Sequence, residues 1–195
     1  MGQYYHQVLE TKDKNGNKVR KYFNTQIYEW FETGKSNYYN GLKLMEHSWW
    51  RNDFCTRLAK KLRNKPSRLA WVGDYADEEE CRKFGFDYED VWGGQDEDYF
   101  TVMKETDFTL DKVKYLVNLD KKCYIDLAEY KKKSEDDFWV VFPLSLLTAI
   151  GNGRGGGDYS GTCMEYVGAW TFDLIEFTNK IPSGFVKEEV YFKEN

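Results

Sequence analysis

The segment Gly151–Gly161, GNGRGGGDYSG, sets six glycines around one arginine and one aspartate. Each glycine costs roughly 0.5–1 kcal/mol relative to alanine inside a regular element, so the segment is a poor helix or strand. In a glycine-rich turn, successive backbone N–H groups can converge on an anion, and a guanidinium matches phosphate geometry. Asn152, Gly153, Gly155, Gly156 and Gly157 are therefore the expected ligand-binding backbone. Arg154 would stabilise phosphate charge, and Asp158 would orient it or bind a ribose hydroxyl or a metal. The GxxxxGK[ST] spacing is absent and no clear helical pattern follows, so the segment is neither a P-loop nor a dinucleotide fingerprint. The plain structural alternative is a flexible connection carrying a charge pair.

Three further clusters have residue types suited to chemistry. In NGLKLMEHSWW, Glu46 adjoins His47, one of two histidines in the chain. Imidazole is the side chain most ready to move a proton near neutral pH, and a neighbouring carboxylate would tune it. Consecutive residues on a helix point apart, however, and a histidine among aromatics is also a common packing group. In WVGDYADEEE, Asp74 and Asp77 follow a buried strand, and paired carboxylates there would hold Mg²⁺ through oxygens and water. The alternative is a solvated acidic helix face. Finally, Trp49, Trp50 and Arg51 precede a helix carrying Arg57, Lys60 and Lys61. Aromatic faces beside cations suit stacking on single-stranded bases with phosphate contacts, or equally an aromatic core under a basic helix.

The chain that must position these clusters has 195 residues, 41% hydrophobic and 18% aromatic, which suits one domain over 1–195 with an aromatic-rich core. A net charge of −5 is too mild for a DNA mimic and does not mark a general nucleic-acid binder. The charge is segregated: seven basic residues against Asp53 from Arg51 to Arg68, then eleven acids against Arg82 and Lys83 from Asp74 to Asp98. The opening MGQYYHQVLE lacks the charged and apolar regions of a secretory signal, and no apolar run approaches a membrane span. A cytoplasmic protein without membrane partners is the expectation.

The elements expected are α+β, with a mostly antiparallel sheet built from hairpins. QYYHQVLETKDKNGNKVRKYFN reads as a hairpin turning at Asn15-Gly16-Asn17, and KVKYLVNLDKKCYIDL as another turning near Leu119–Lys122. One clear amphipathic helix is expected over about 52–63, capped by Asn52, with Phe54, Leu58 and Leu62 on one side. RLAWV reads as a buried strand, DEEECRKFG as a short helix closed by Gly85, and TQIYEWFETG as strand or helix. FWVVF reads as a strand halted by Pro143. EYVGAWTFDLIEF and FVKEEVYF read as two strands joined around NKIPSG.

MGQYY, NGLKLMEHSW, VGDYAD, YLVN with YIDL, and NGRGGGDYSG together resemble a group of small proteins of low-GC Gram-positive bacteria, their phages and mobile elements. The chain is also similar, more distantly, to anti-CRISPR proteins directed at Cas9, including a kind that damages the guide RNA. The resemblance implies a counter-defence protein in the host cytoplasm, with RNA or a Cas9–guide RNA complex as partner. It transfers no catalytic residue. If the protein cleaves RNA, the reading is a phosphodiesterase cleft built from the glycine loop and the MEHSW segment, with Arg154 on the phosphate, His47 as general acid or base, and Glu46, Asp74 or Asp158 orienting it or holding a metal. The rival is a non-catalytic module that binds a nucleotide-like ligand or blocks a protein partner.

Cys55, Cys81, Cys123 and Cys163 are widely spaced, with no CxxC pair. They are expected to be reduced thiols. Thiol titration of denatured, unreduced protein should find about four; finding none would reject both the redox state and the compartment.

Overall fold

The run SRLAWVG forms strand β3 (Ser67–Gly73) and packs two cores at once. Successive strand side chains point to opposite faces. Leu69 and Trp71 therefore enter one core while Ala70 and Val72 enter the other. A strand covered on both faces reads as continuous apolar sequence, which is why this stretch lacks polar alternation. The structure is a computed structural model that describes residues 2–23, 42–93, 108–134 and 140–194. The ambiguous TQIYEWFETG segment lies outside the described residues, as do Asn40, Gly41 and the Phe138-Trp139 pair.

Around β3 the chain builds an 8-stranded sheet in the order β2-β1-β3-β7-β4-β5-β8, with β6 also paired to β3. The strands are β1 (Tyr5–Lys12), β2 (Lys18–Phe23), β4 (Tyr115–Asn118), β5 (Cys123–Asp126), β6 (Ala149–Ile150), β7 (Leu174–Thr178) and β8 (Val186–Lys187). All pairings are antiparallel except β3 with β6 and β5 with β8. The edge of β3 opposite β1 is divided. Ser67 and Arg68 pair with β7, whereas Trp71 and Val72 pair in parallel with β6. Both expected hairpins form, and the carboxylate of Asp13 closes the first by accepting the Asn15 and Asn17 N–H groups. The α+β expectation holds.

Short helices cover the two faces. They are α1 (Leu44–His47), α2 (Asp53–Lys61), α3 (Glu78–Arg82), α4 (Tyr88–Trp92), α5 (Leu127–Ser134) and α6 (Pro143–Leu147). Helix α2 lies where the spacing places it, with the Asn52 side chain accepting from the Cys55 N–H. Phe54, Leu58 and Leu62 join Phe142, Leu146 and Phe177 in the larger core. Cys81, Phe86 and Val91 fill the smaller core on the opposite face. No helix among the described residues is long and apolar enough to cross a membrane. The four cysteines are free, three of them buried.

Three expectations fail, each because tertiary contacts override local pattern. Pro143 opens α6 rather than ending a strand, since its fixed φ suits the first helical position. Met164–Tyr166 is a 3-10 turn, and only Leu174–Thr178 of the EYVGAWTFDLIEF segment is a strand. The Gly168 and Trp170 N–H groups are drawn to the Leu146 and Leu147 carbonyls at the end of α6. Finally, only Val186–Lys187 of the FVKEEVYF segment is a strand, and it adds to β5, while β7 lies between β3 and β4. Helix α5 was not expected, although Asp126 carries its start signal by accepting the Ala128 and Glu129 N–H groups.

His6, on β1, is 2% exposed and stacked on Trp92 with ring centroids 3.8 Å apart. Its Nδ1 lies 3.1 Å from the Val91 carbonyl oxygen, so that nitrogen carries the proton and donates. Burial pushes its pKa below the ordinary 6.5. Between the folded pKa and 6.5 the unfolded chain thus binds more protons, so stability declines as pH falls through that window. NMR should find the His6 ring still neutral at pH 6.5, and His6→Phe should flatten the acid-side loss of stability. Titration of His6 at the ordinary value would refute the assignment.

Candidate functional site

The glycine loop does converge its backbone donors on an anion, and the anion is its own Asp158. One carboxylate oxygen, Oδ2, accepts the N–H groups of Gly153, Arg154 and Gly155 at 2.8–2.9 Å. The other, Oδ1, accepts from the Tyr5 hydroxyl at 2.8 Å. Burial and the adjoining carboxylate push the Tyr5 pKa upward, so it stays a donor. The base of the loop is clamped by Asn152. Its Oδ1 accepts from the Tyr159 N–H at 2.9 Å, and its Nδ2 donates to the Tyr159 carbonyl.

The glycines admit the chain's own N-terminal strand. The Gln3 N–H donates to the Gly156 carbonyl, and Gly2 bridges Gly156 in parallel. The Gln3 side chain, 0% exposed, fills the space between β3 and the loop. A Cβ at Gly155 would come 2.9 Å from the Gln3 backbone nitrogen. At Gly151, where φ is +93°, a Cβ would approach Gln3 Nε2 to 2.8 Å. Real Cβ atoms do not sit so close, so a side chain at Gly155 would displace the Gln3 backbone, and one at Gly151 would push the Gln3 amide aside and strain a positive-φ turn.

Three of the sequence clusters meet here. From NGLKLMEHSWW, the Met45 N–H donates to the Gly157 carbonyl and Lys43 lies against Gly157. From WVGDYADEEE, Asp77 Oδ2 pairs with Arg154 at 3.1 Å, and Arg154 donates to Glu80 Oε1 at 2.9 Å and to the Tyr75 carbonyl at 2.8 Å. From MGQYY, the Tyr4 N–H donates to Asp74 Oδ1, and the Asp74 N–H donates back to the Tyr4 carbonyl. Lys43 also lies over the Tyr4 ring, 5.5 Å from its centroid.

The candidate catalytic groups are not joined into one constellation. Arg154 turns to α3 and its approach, away from Asp158, which is occupied by backbone donors. His47 has Nε2 3.8 Å from Glu46 Oε2, but that carboxylate is held more closely by Lys43 at 2.7 Å. Burial pushes the His47 pKa down, against the pull of Glu46. No contact among the described residues links His47 to Arg154 or Asp158. The Mg²⁺ expectation finds no ligand set. Asp74 is tied to Tyr4, Asp77 to Arg154, and no three metal-binding side chains are grouped among the described residues. Burial raises the Asp74 pKa, with Asp158 adding to the shift.

The expected nucleic-acid residues are divided in the same way. Trp50 is 5% exposed and stacked on Tyr130, so it serves as core rather than as a base platform. Trp49 is half-buried and bridges Val141, while Arg51 and Lys60 are exposed. Arg57 pairs with Asp53 at 2.7 Å, and Lys61 lies over the Phe23 ring. The residues the sequence reading missed are Gln3, Tyr5, Lys43 and Glu80. The only signal for Gln3, Tyr5 and Lys43 was that they belong to motifs that carry the resemblance, and for Glu80 that it stands in the acidic run after Asp74.

Beside the loop is an open groove of about 420 Å³, walled by Lys83 and Phe84 after α3, by Gly151 and Asn152, and by Met164 and Thr171. Comparison of the chain with known families, curated proteins and solved structures finds no match.

Asp158→Ala removes the acceptor for three N–H groups and strands a buried Tyr5 hydroxyl. It should cost about 2–4 kcal/mol, the scale of charged hydrogen bonds plus an unsatisfied buried donor. Arg154→Ala breaks only partly exposed ion pairs and should cost no more than about 1 kcal/mol. Denaturant unfolding compares the two, and equal losses would remove Asp158 as the organiser of the loop.

Proposed function

We propose that this protein acts by stoichiometric binding and not by turnover, as a counter-defence module whose partner is RNA or an RNA–protein complex. The observation that supports binding is the internal commitment of the loop. The three donors of an oxyanion-type nest are taken by Asp158, and the guanidinium that would neutralise a phosphate is taken by Asp77 and Glu80. Transition-state stabilisation needs donors aimed at where charge develops, and here they are aimed at the chain itself. What the loop supplies instead is a rigid platform. Four sequence segments lock together, and Tyr75, 37% exposed, and Arg154 stand at its surface. A surface set in advance loses little entropy on association, which suits a blocker. The nature of the partner rests on the resemblance of the motifs to phage-associated proteins.

Incubation with guide RNA and with Cas9–guide RNA complex, across ratios from substoichiometric to excess, tests the reading. Intact RNA at every ratio, with inhibition complete only near equimolar protein, is the expected result. Shortening of many RNA molecules per protein molecule would overturn it.

A further inference from the structure

The groove runs along β6, lined by Ala149 and Ile150, to the first residues of the glycine loop. Its volume of about 420 Å³ falls in the range of small-molecule sites. Three of its features have no part in holding the fold. Lys83 is exposed and has no ion-pair partner among the described residues, although Arg82 beside it is bound to Glu78 and Asp87. The N–H groups of Gly151 and Asn152 make no hydrogen bond among the described residues, whereas the next three are taken by Asp158. Met164, also in the lining, stands 43% exposed. Glu80, which also lines the groove, is fixed by Arg154 and so offers an acceptor of set position.

We propose that this groove binds a nucleoside monophosphate unit. The phosphate meets Lys83 and the Gly151 and Asn152 N–H groups, the base lies against Phe84 and Met164, and Glu80 accepts from the base or the ribose. The assignment rests on the binding reading above and moves the anion site from Arg154 to Lys83 and the first two residues of the glycine loop. A cation and two backbone donors make charge-assisted hydrogen bonds with phosphate oxygens, and apolar side chains beside a fixed carboxylate suit an aromatic ring with polar edges. The same unit is presented by a free mononucleotide and by the phosphorylated 5′ end of an RNA strand.

Calorimetric titration of the full chain with AMP, GMP, CMP and UMP tests the site, alongside ¹⁵N–¹H spectra of the Gly151 and Asn152 amides. A short RNA with and without a 5′-phosphate separates the two sources. Saturable binding that shifts both amides is expected. Lys83→Glu should weaken it about tenfold or more, while Lys132→Glu on α5, the same charge change elsewhere, leaves it unaltered. Tighter binding of the 5′-phosphorylated strand than of any mononucleotide would assign the groove to RNA ends, and the reverse order to free nucleotides. Binding indifferent to Lys83→Glu, or silence of both amides with every probe at millimolar concentration, overturns the proposal. Neither failure touches the stoichiometric reading, which falls only on RNA turnover.

Discussion

The carboxylate of Asp158 is the constraint on which the glycine loop depends. Three consecutive N–H groups point at one of its oxygens and a buried tyrosine hydroxyl at the other. This converts a segment of high backbone entropy into a fixed turn. Ordering a residue costs roughly 1–2 kcal/mol in backbone entropy, and a run of glycines stays folded only where contacts offset that cost. Because Tyr5 belongs to β1, the same carboxylate also joins the loop to the sheet. The loop then serves as a roof for Gly2–Tyr4, and Gln3 occupies the room that side chains at Gly151 and Gly155 would need.

Charge around the loop is arranged in local pairs. Arg154 faces Asp77 and Glu80, Lys43 faces Glu46, and Glu80 also accepts the Asp77 N–H at the start of α3. Each pair is partly exposed and contributes little alone. Their effect is positional: they fix the acidic helix against the loop and leave Arg154 without charge to offer a ligand. Lys83, one turn beyond Glu79 on the same acidic stretch, escapes this pairing among the described ion pairs, and it borders the groove.

The division of the edge of β3 between β6 and β7 creates the opening. Strand β6 covers only Trp71 and Val72, then gives way to the loop at Gly151. The chain segment that follows, through Met164 and Gly168, packs beside β6 through hydrogen bonds to the Leu146 and Leu147 carbonyls instead of extending the sheet. A short parallel strand flanked by a loop and a turn leaves a groove; a full-length strand there would have closed it.

Local rules were enough for elements with a strong period or a capping signal. The β-prone runs of the first hairpin, the apolar β3, the Asn52 cap and four-residue spacing of α2, and the turns of both hairpins were all legible in the sequence. The glycine loop was also legible as a place where donors converge, because N–H direction follows from backbone alone. Sequence could not say which anion they meet, since Asp158 is as able to face outward as inward. Its partner Tyr5 lies 153 residues away. The same holds for Arg154, whose acids come from α3, and for Trp50, an aromatic beside a basic helix that burial turned into core. The EYVGAWTFDLIEF and FVKEEVYF segments read as strands by composition, but carbonyls at the end of α6 and the neighbouring strands drew much of them into turns and short pairings. Propensity acts within a few residues, whereas burial, ion pairing and hydrogen-bond satisfaction are set by what the fold brings alongside.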